Sequence, residues 1–346
     1  ELVIIWKYSM ESTDSRLITP GYYILLVGQN RRKFLLLEKD KTFKWEKKTY
    51  SFNPFIGQPF GTTFLLDKNE VKLFEEQGNG EGIAPNQEVT GDNRTIFDDN
   101  KAQKLTYDEI VSMREELTGS EMIGKLTENN ASWENKTQFS QEKYIKKKKK
   151  KYLTTIQVLD PSISNIAQTY SMQDAKKAEN LKEETLGLVL NLSNVQHEAE
   201  VLLADSTVGL MLGSVLTRLG GSGKITNLSI DPASNQAFKV FNHSQELREK
   251  IVEDITIRDF QQRSEQAEER PEYDSLIISS RYRPLELVQL LAKYVTPSGD
   301  ITVYHPFLEP LLEAYNYLKS DGRAINVRIF DSFLREYQVL PQRTHP

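Results

Sequence analysis

The first 74 residues alternate between short apolar stretches and turn-forming residues. Apolar residues cluster at positions 22–27, 34–37 and 60–66, with glycine, proline, asparagine or aspartate around them. Clusters of this length with such neighbours are typical of short β-strands. The pattern therefore predicts a small β-barrel or sandwich in this part of the chain.

A polar stretch follows at residues 75–100, which are rich in glycine, asparagine, aspartate and glutamate and show no periodicity. This composition is typical of a mobile loop. We therefore assign residues 1–100 to a β-rich N-terminal domain that includes the loop. Beyond it the pattern becomes helical, and Thr106 and Glu109 have the spacing of a helix-capping box. Residues 101–157 are predicted to form a helical linker.

Residues 158–346 alternate between strand and helix patterns, which predicts an α/β domain with an open, mainly parallel sheet covered on both faces. One helix is expected to end at Gly220, and another to begin near Pro284. Residues 261–272 are almost wholly polar and are expected to form an exposed insertion. The apolar strands are predicted at residues 201–205, 225–231, 276–278, 301–304 and 325–329.

Composition narrows the possible chemistry. The chain of 346 residues contains no cysteine, which excludes disulfides, thiolate metal sites and cysteine nucleophiles. Its four histidines are far apart in the sequence, so no zinc cluster is predicted. No apolar run approaches the roughly 20 residues that cross a bilayer, which favours a soluble, intracellular protein. A net charge of -5 argues against indiscriminate binding to nucleic acid.

The turn after the strand at 201–205 is where a nucleotide-binding α/β sheet carries its glycine loop. A loop that binds a methyl donor reads acidic-x-Gly-x-Gly-x-Gly, and here Asp205 and Gly209 keep two of these positions. Thr207 and Met211 replace the outer glycines. Because glycine allows the backbone to approach the ligand closely, these replacements predict weak or absent binding of S-adenosylmethionine. Asp231, after the next strand, is a candidate for ribose contact or a turn cap.

A second glycine-rich run, residues 220–224, has a partial likeness to a phosphate-binding P-loop. That motif requires a glycine where Arg218 stands and a serine or threonine where Ile225 stands. The run also follows a helix instead of a strand. It is therefore interpreted as a helix-ending turn.

The strand predicted at 276–278 is taken as the fourth strand of such a fold. It leads into Ser279, where enzymes that methylate a base nitrogen usually carry an acid or an amide. A serine hydroxyl needs a base partner to take a proton, and no histidine lies nearby in the sequence. Arg281 and Arg283 follow and suit contact with phosphate or a base edge. The alternative for both arginines is a solvated loop.

A lysine-rich helix is predicted at residues 141–152, with seven lysines in the nine positions from Lys143. Such a concentration of charge repels itself and is relieved by a polyanion. Tyr144 and Tyr152 are placed to anchor or stack beside it. A nuclear-import signal or a merely solvated face are the alternatives. The lysines assigned to RNA contact are Lys143, Lys146, Lys147, Lys148, Lys149, Lys150 and Lys151.

Several separated motifs resemble one family, the non-catalytic subunits of the eukaryotic tRNA (adenine-N1)-methyltransferase. The motifs are KAQKLT at 101–106, SQEKYI at 140–145, REYQVLP at 335–341 and RTHP at 343–346, with weaker similarity at 190–194 and 55–61. The resemblance implies a β-barrel-like N-terminal domain and a Rossmann-like class I methyltransferase fold with a degenerate cofactor loop.

The same resemblance implies two partners, tRNA and a homologous catalytic subunit that binds S-adenosylmethionine. It also implies a heterotetramer with two copies of each subunit, and a nuclear location. No cofactor is expected in this chain. Arg335 and Arg343, together with Arg281, Arg283 and the lysine helix, are expected to contact tRNA phosphates. The leading hypothesis is a tRNA-binding scaffold subunit. The alternatives are an active methyltransferase with a degenerate loop and an RNA-binding translation-initiation factor.

Overall fold

The computed structural model describes residues 17–74, 103–117, 119–133, 136–229, 235–340 and 343–345. The chain divides into two compact units, Glu1–Asp160 and Pro161–Pro346. The predictions made for residues 1–16, for the loop at 75–100 and for Asp231 lie outside the described residues.

The first unit is built on a five-stranded antiparallel sheet with the order β2-β1-β7-β5-β6. Its strands are β1 (Tyr23–Val27), β2 (Arg32–Leu36), β5 (Thr63–Asp67), β6 (Glu70–Leu73) and β7 (Thr154–Leu159). A separate hairpin consists of β3 (Thr42–Trp45) and β4 (Lys48–Ser51). Within the described residues, β2 and β6 are edge strands, so the predicted small barrel is not confirmed.

The core of this unit is an aromatic cluster between the sheet and the hairpin. The Phe43 ring centroid lies 4.9 Å from that of Phe52 and 5.4 Å from that of Phe55. The rings of Phe55 and Phe64 meet edge to face at 4.7 Å. Tilted and edge-on contacts of this kind stabilise aromatic cores beyond the area they bury.

Strand β7 differs from the linker and domain boundary inferred from the sequence. It pairs with β1 on one side and β5 on the other, with Leu25 opposite Leu159 and Phe64 opposite Ile156. Ile156 and Val158 alternate into the core, and Asp160 ends the unit. The strands it joins are distant in sequence, so a local pattern carries no information about where such a strand pairs.

Three helices precede β7: α1 (Tyr107–Glu116), α2 (Gly119–Glu128) and α3 (Gln138–Tyr152). The capping box is confirmed, because Thr106 Oγ1 accepts a hydrogen bond from the Glu109 amide and the Glu109 carboxylate accepts one from the Thr106 amide. Helix α2 buries Met122, Ile123 and Leu126. Helix α3 carries the lysine run.

The second unit is an α/β domain, as predicted, with a five-stranded parallel sheet in the order β10-β9-β8-β11-β12. The strands are β8 (Glu200–Asp205), β9 (Lys224–Ser229), β10 (Val252–Thr256), β11 (Tyr273–Ser279) and β12 (Val295–Tyr304). The helices are α4 (Ile163–Gln173), α5 (Glu183–Leu192), α6 (Leu210–Leu219), α7 (Gln236–Lys239), α8 (Gln245–Ile251), α9 (Ile257–Gln266), α10 (Pro284–Leu291) and α11 (Leu308–Asp321). None of the described helices is long and apolar enough to cross a membrane.

Helix α6 ends where the glycine run predicted it to end. Gly220 has φ 63°, and Gly221 follows with φ 98°. Glycine adopts this left-handed conformation without the strain that a Cβ would introduce. The rejection of a P-loop at this run is therefore consistent with its backbone.

Two sequence-based predictions for this unit are corrected. The strand expected at 325–329 is wrong, since residues 324–337 contain neither helix nor strand. Asn326 adopts φ 57°, which breaks an extended conformation despite the alternation of apolar residues. The polar stretch 261–272 is exposed as expected, but its first part continues α9, which Phe260 anchors in the core. A hairpin follows, in which β13 (Gln338–Leu340) pairs with β14 (Arg343–His345).

Candidate functional site

The candidate site lies where the order of the parallel sheet reverses, between β8 and β11. Asp205 ends β8 and stands opposite Ser279, which ends β11. The Ser206 amide donates a hydrogen bond to the Ser279 carbonyl oxygen at 2.9 Å. Open α/β sheets bind ligands in the crevice outside the carboxyl ends of strands at such a reversal. A nucleotide or cofactor would therefore be expected here.

The loop after β8 is closed by its own hydrogen bonds. One Asp205 carboxylate oxygen accepts from both the amide and the hydroxyl of Thr207, each at 2.6 Å, and the other accepts from the Leu212 amide at 3.1 Å. The Thr207 hydroxyl oxygen in turn accepts from the Met211 amide at 3.0 Å. The first amides of a helix are the groups that bind an anionic ligand. At α6, three of them are used by the loop itself, because the Leu210 amide also donates to the Thr207 carbonyl oxygen at 2.9 Å.

Thr207 and Met211 are both fully buried. The threonine therefore acts through its hydroxyl, which bridges Asp205 and the start of α6, and the methionine acts through packing. Burial raises the pKa of the Asp205 carboxyl, while the hydrogen bonds from Thr207 and Leu212 act in the opposite direction. The two replacements found in the sequence thus form part of a closed, packed turn.

Gly209, the glycine that remains, is covered by protein. It has φ 82°, and a Cβ added there would lie 2.9 Å from the Phe238 Cβ and 3.2 Å from the Asn235 Cβ. The amide of Ala237 in α7 also donates to the Val208 carbonyl oxygen at 3.0 Å. The surface that such a glycine offers a cofactor is therefore occupied by α7 and the residue before it. The residues of this loop do not fit S-adenosylmethionine.

The end of β11 provides hydroxyl groups in place of an acid. Ser279 is fully buried, and its hydroxyl has no hydrogen-bond partner among the described residues. The hydroxyl oxygens of Ser206 and Ser280 are 3.2 Å apart, and the Ser280 oxygen also accepts from the Tyr282 amide. A serine without a base partner does not accept a proton at neutral pH. This position therefore lacks the acid or amide that enzymes methylating a base nitrogen usually carry.

Both arginines after β11 are largely exposed and paired with carboxylates. Arg281 Nε lies 3.3 Å from Glu179 Oε1, and an Arg283 terminal nitrogen lies 3.4 Å from Glu313 Oε1. The Tyr304 hydroxyl donates to the Glu179 carbonyl oxygen at 2.9 Å. Burial raises the pKa of the Glu179 carboxyl, and the positive charge of Arg281 opposes that shift. Contact with phosphate would require each arginine to exchange its partner.

Outside the crevice, the predicted lysines lie on α3. Lys148 is half-buried, the Lys150 side chain lies outside the described set, and the other five are exposed. In the C-terminal segment, the Arg335 guanidinium lies 5.4 Å from the Tyr337 ring centroid. Arg343 begins β14, and its side chain is not among those described. Of the basic residues predicted to contact tRNA, those of α3 thus form the largest group on one described element.

Several residues at these sites had no sequence signal. Glu179 and Glu313 belong to no recognisable motif, and only the fold brings them to Arg281 and Arg283. Phe238 lies three residues before Phe241, and only its position against the glycine loop distinguishes it. No group of three or more histidine, aspartate and glutamate side chains is placed to hold a metal ion in the described ranges.

The packing of the closed loop can be tested through stability. Met211→Ala is expected to lower the free energy of unfolding by about 2–5 kcal/mol, because it leaves a cavity in a fully buried position. Chemical denaturation of the purified chain measures the change. Met172→Ala is the matched control, since Met172 is 74% exposed, and its effect should stay within about 0.5 kcal/mol. Equal effects of the two substitutions would contradict the packing role of Met211.

The second unit has a Rossmann-like methyltransferase fold. This class is indicated by the order of its parallel sheet, by the reversal of that order between β8 and β11, and by the remnant of a glycine loop at the reversal. The chain belongs to the Gcd10p family, whose model matches residues 17–280.

Relatives and solved structures agree with this class. The chain is 26% identical to the mouse protein named tRNA (adenine(58)-N(1))-methyltransferase non-catalytic subunit TRM6, over 95% of this chain and 85% of the mouse protein. It is 27% identical to the protein of the same name from Dictyostelium discoideum, over 96% of this chain and 77% of that protein.

Two solved structures share the fold. A SAM-dependent O-methyltransferase from Thermotoga maritima matches with a TM-score of 0.56 and 14% identity, over 96% of this chain and 89% of that one. The tRNA (m1A58) methyltransferase TrmI from Aquifex aeolicus matches with a TM-score of 0.50 and 12% identity, over 95% of this chain and 92% of that one.

Proposed function

We propose that this chain is the non-catalytic, tRNA-binding and scaffolding subunit of a complex that makes N1-methyladenosine in the T-loop of tRNA. A homologous catalytic subunit binds S-adenosylmethionine and carries out the transfer. The observation that carries the proposal is the closed loop at Asp205 and Thr207, in a methyltransferase fold whose relatives are named non-catalytic subunits. The fold is kept while the donor site is filled by its own groups.

Apolar side chains near the C-terminus support a role in assembly. Ile325 is 89% exposed, Phe333 81%, Leu334 68% and Val339 76%. Soluble monomers rarely leave so many large apolar side chains exposed along one segment, and such patches mark protein interaction sites. We assign the segment 325–339 to docking of the catalytic subunit. The proposed assembly contains two copies of each subunit and is located in the nucleus.

The function is tested by reconstitution. The chain alone is expected to show no calorimetric binding of S-adenosylmethionine at micromolar concentrations, and no methylation of tRNA. The catalytic subunit is expected to methylate tRNA efficiently only when this chain is added. Micromolar donor binding by the isolated chain would contradict the proposal in favour of an active enzyme. Full activity of the catalytic subunit alone would contradict the scaffolding role.

Arg281 provides a second test, because its partner Glu179 competes with phosphate. Arg281→Ala is expected to weaken tRNA binding several-fold without affecting assembly, since it removes a cation. Glu179→Gln is expected to strengthen tRNA binding, because it frees the same guanidinium. Fluorescence anisotropy with labelled tRNA measures both.

Arg258→Ala, at an exposed arginine of α9, is the matched control and should change affinity less than twofold. Normal affinity of the Arg281→Ala variant would show that this arginine serves only the ion pair with Glu179.

A further inference from the structure

Helix α3 has two different faces, although its sequence is basic all round. Tyr144, Lys148 and Tyr152 follow one another at intervals of four residues and therefore lie along one side of the helix. All three are half-buried, whereas Lys143, Lys146, Lys147 and Lys149 are exposed. The helix thus combines an aromatic stripe with a solvated face.

Tyr144 is fixed by the connection between α2 and α3. Its ring meets the Trp133 ring edge to face, with centroids 5.7 Å apart. Trp133 is held in turn by Gln141, whose side-chain amide donates to the Trp133 carbonyl oxygen at 2.9 Å. Gln141 is buried. The tyrosine ring is therefore a rigid part of the helical segment.

The ammonium groups of two lysines lie over this ring. The ammonium nitrogen of Lys136, from the connection, lies 4.8 Å from the Tyr144 ring centroid, and that of Lys148 lies 5.1 Å from it. Lys148 is also 5.8 Å from the Tyr152 centroid. Both ammonium groups lie within the range of cation–π attraction. Because both ammonium groups lie close to the same ring centroid, their separation cannot exceed the sum of these two distances. Neighbouring phosphates of one RNA strand lie within that limit.

Holding a lysine against an aromatic ring lowers the entropic cost of binding a phosphate. A free lysine loses up to about 2 kcal/mol of side-chain entropy when a contact fixes it. A lysine already held against a ring loses less, and its remaining N–H groups still donate. Burial lowers the pKa of Lys148, with the nearby Lys151 and Lys147 acting in the same direction and Tyr152 opposing them. A phosphate beside Lys148 would place a negative charge next to these cations.

We propose that Lys136 and Lys148, positioned by Tyr144, form a clamp for the phosphate backbone of RNA. Tyr144 acts as a positioning residue and not as a platform for stacking bases, because cations already engage its ring. The exposed lysines of α3 attract RNA through their summed charge, whereas the clamp fixes where the backbone lies. This inference rests on the proposed tRNA binding and deepens it.

The test measures the affinity of the complete complex for unmodified tRNA across a range of salt concentrations. Lys136→Ala and Lys148→Ala are each expected to weaken binding roughly three- to tenfold and to flatten the slope of log affinity against log salt by about one. Lys147→Ala removes the same charge from the solvated face and should weaken binding less than threefold. Tyr144→Leu should weaken binding several-fold with no change in net charge, and Tyr144→Phe should restore it.

The outcomes separate the two proposals. An effect of Lys147→Ala equal to that of Lys148→Ala would overturn the clamp, as would normal binding by the Lys136→Ala variant, and both would leave tRNA binding itself intact. Absent or salt-independent binding by the unaltered complex would instead overturn the proposed function. Circular dichroism checks that Tyr144→Leu keeps its helices. If it does not, the comparison among the three lysine variants decides.

Discussion

Replacing the six lysines from 146 to 151 with alanine is expected to reduce the affinity of the complex for tRNA by roughly a hundredfold or more at physiological salt. The reason is the release of counterions, since each phosphate contact that is lost removes part of the salt-dependent free energy of binding. Alanine has the highest helix propensity, so α3 should persist. The measurement is the slope of log affinity against log salt, which should become markedly flatter.

A control distinguishes the helix from total charge. Lys39, Lys47 and Lys48 are exposed elsewhere on the same unit, outside α3. Replacing them with alanine removes three positive charges. Their loss is expected to cost much less affinity per lysine. An unchanged salt slope in the α3 variant would reject direct phosphate contact. A similar loss per lysine in the control would show that net charge decides and position does not.

Introducing charge at Phe333 and Leu334 is expected to prevent stable association with the catalytic subunit. Buried apolar anchors at an interface contribute at least about 2 kcal/mol each when they dominate binding, which corresponds to roughly thirtyfold in affinity. Phe333→Asp combined with Leu334→Asp should therefore eliminate co-elution of the two subunits in size-exclusion chromatography. Methylation by the mixture should fall in parallel.

The fold of the isolated chain should survive these changes, because both side chains are already exposed. Met172→Asp introduces one such charge at an exposed apolar position on α4 and serves as the control. It should leave association unchanged. Co-elution of the doubly substituted chain with the catalytic subunit would contradict the docking assignment.

The parts of the fold that were predictable from sequence are those determined by local patterns. The alternation of apolar strands and amphipathic helices predicted the parallel sheet, and the residues after β8 predicted an altered donor loop. Thr106 and Glu109 predicted a capping box because its groups are three residues apart. Such features depend on neighbours in the sequence, so they can be read without knowing the fold.

The features of the fold that could not be predicted from the sequence depend on contacts between residues far apart in the chain. Strand β7 lies between β1 and β5, which are far from it in sequence. The pairing of Glu179 with Arg281 depends on how two loops meet above the sheet. The strand expected at 325–329 failed because alternation shows only that a segment can be extended, and a strand also needs a partner.

The self-bonded loop at Asp205 also determines how this chain responds to metabolite supply. A ligand that binds only the folded state stabilises a protein in proportion to the logarithm of its concentration above the dissociation constant. Here the amide and hydroxyl of Thr207 and the amide of Leu212 donate to the carboxylate, so groups of the chain itself occupy it. Thermal unfolding of this subunit should therefore be indifferent to methyl-donor levels that shift its catalytic partner.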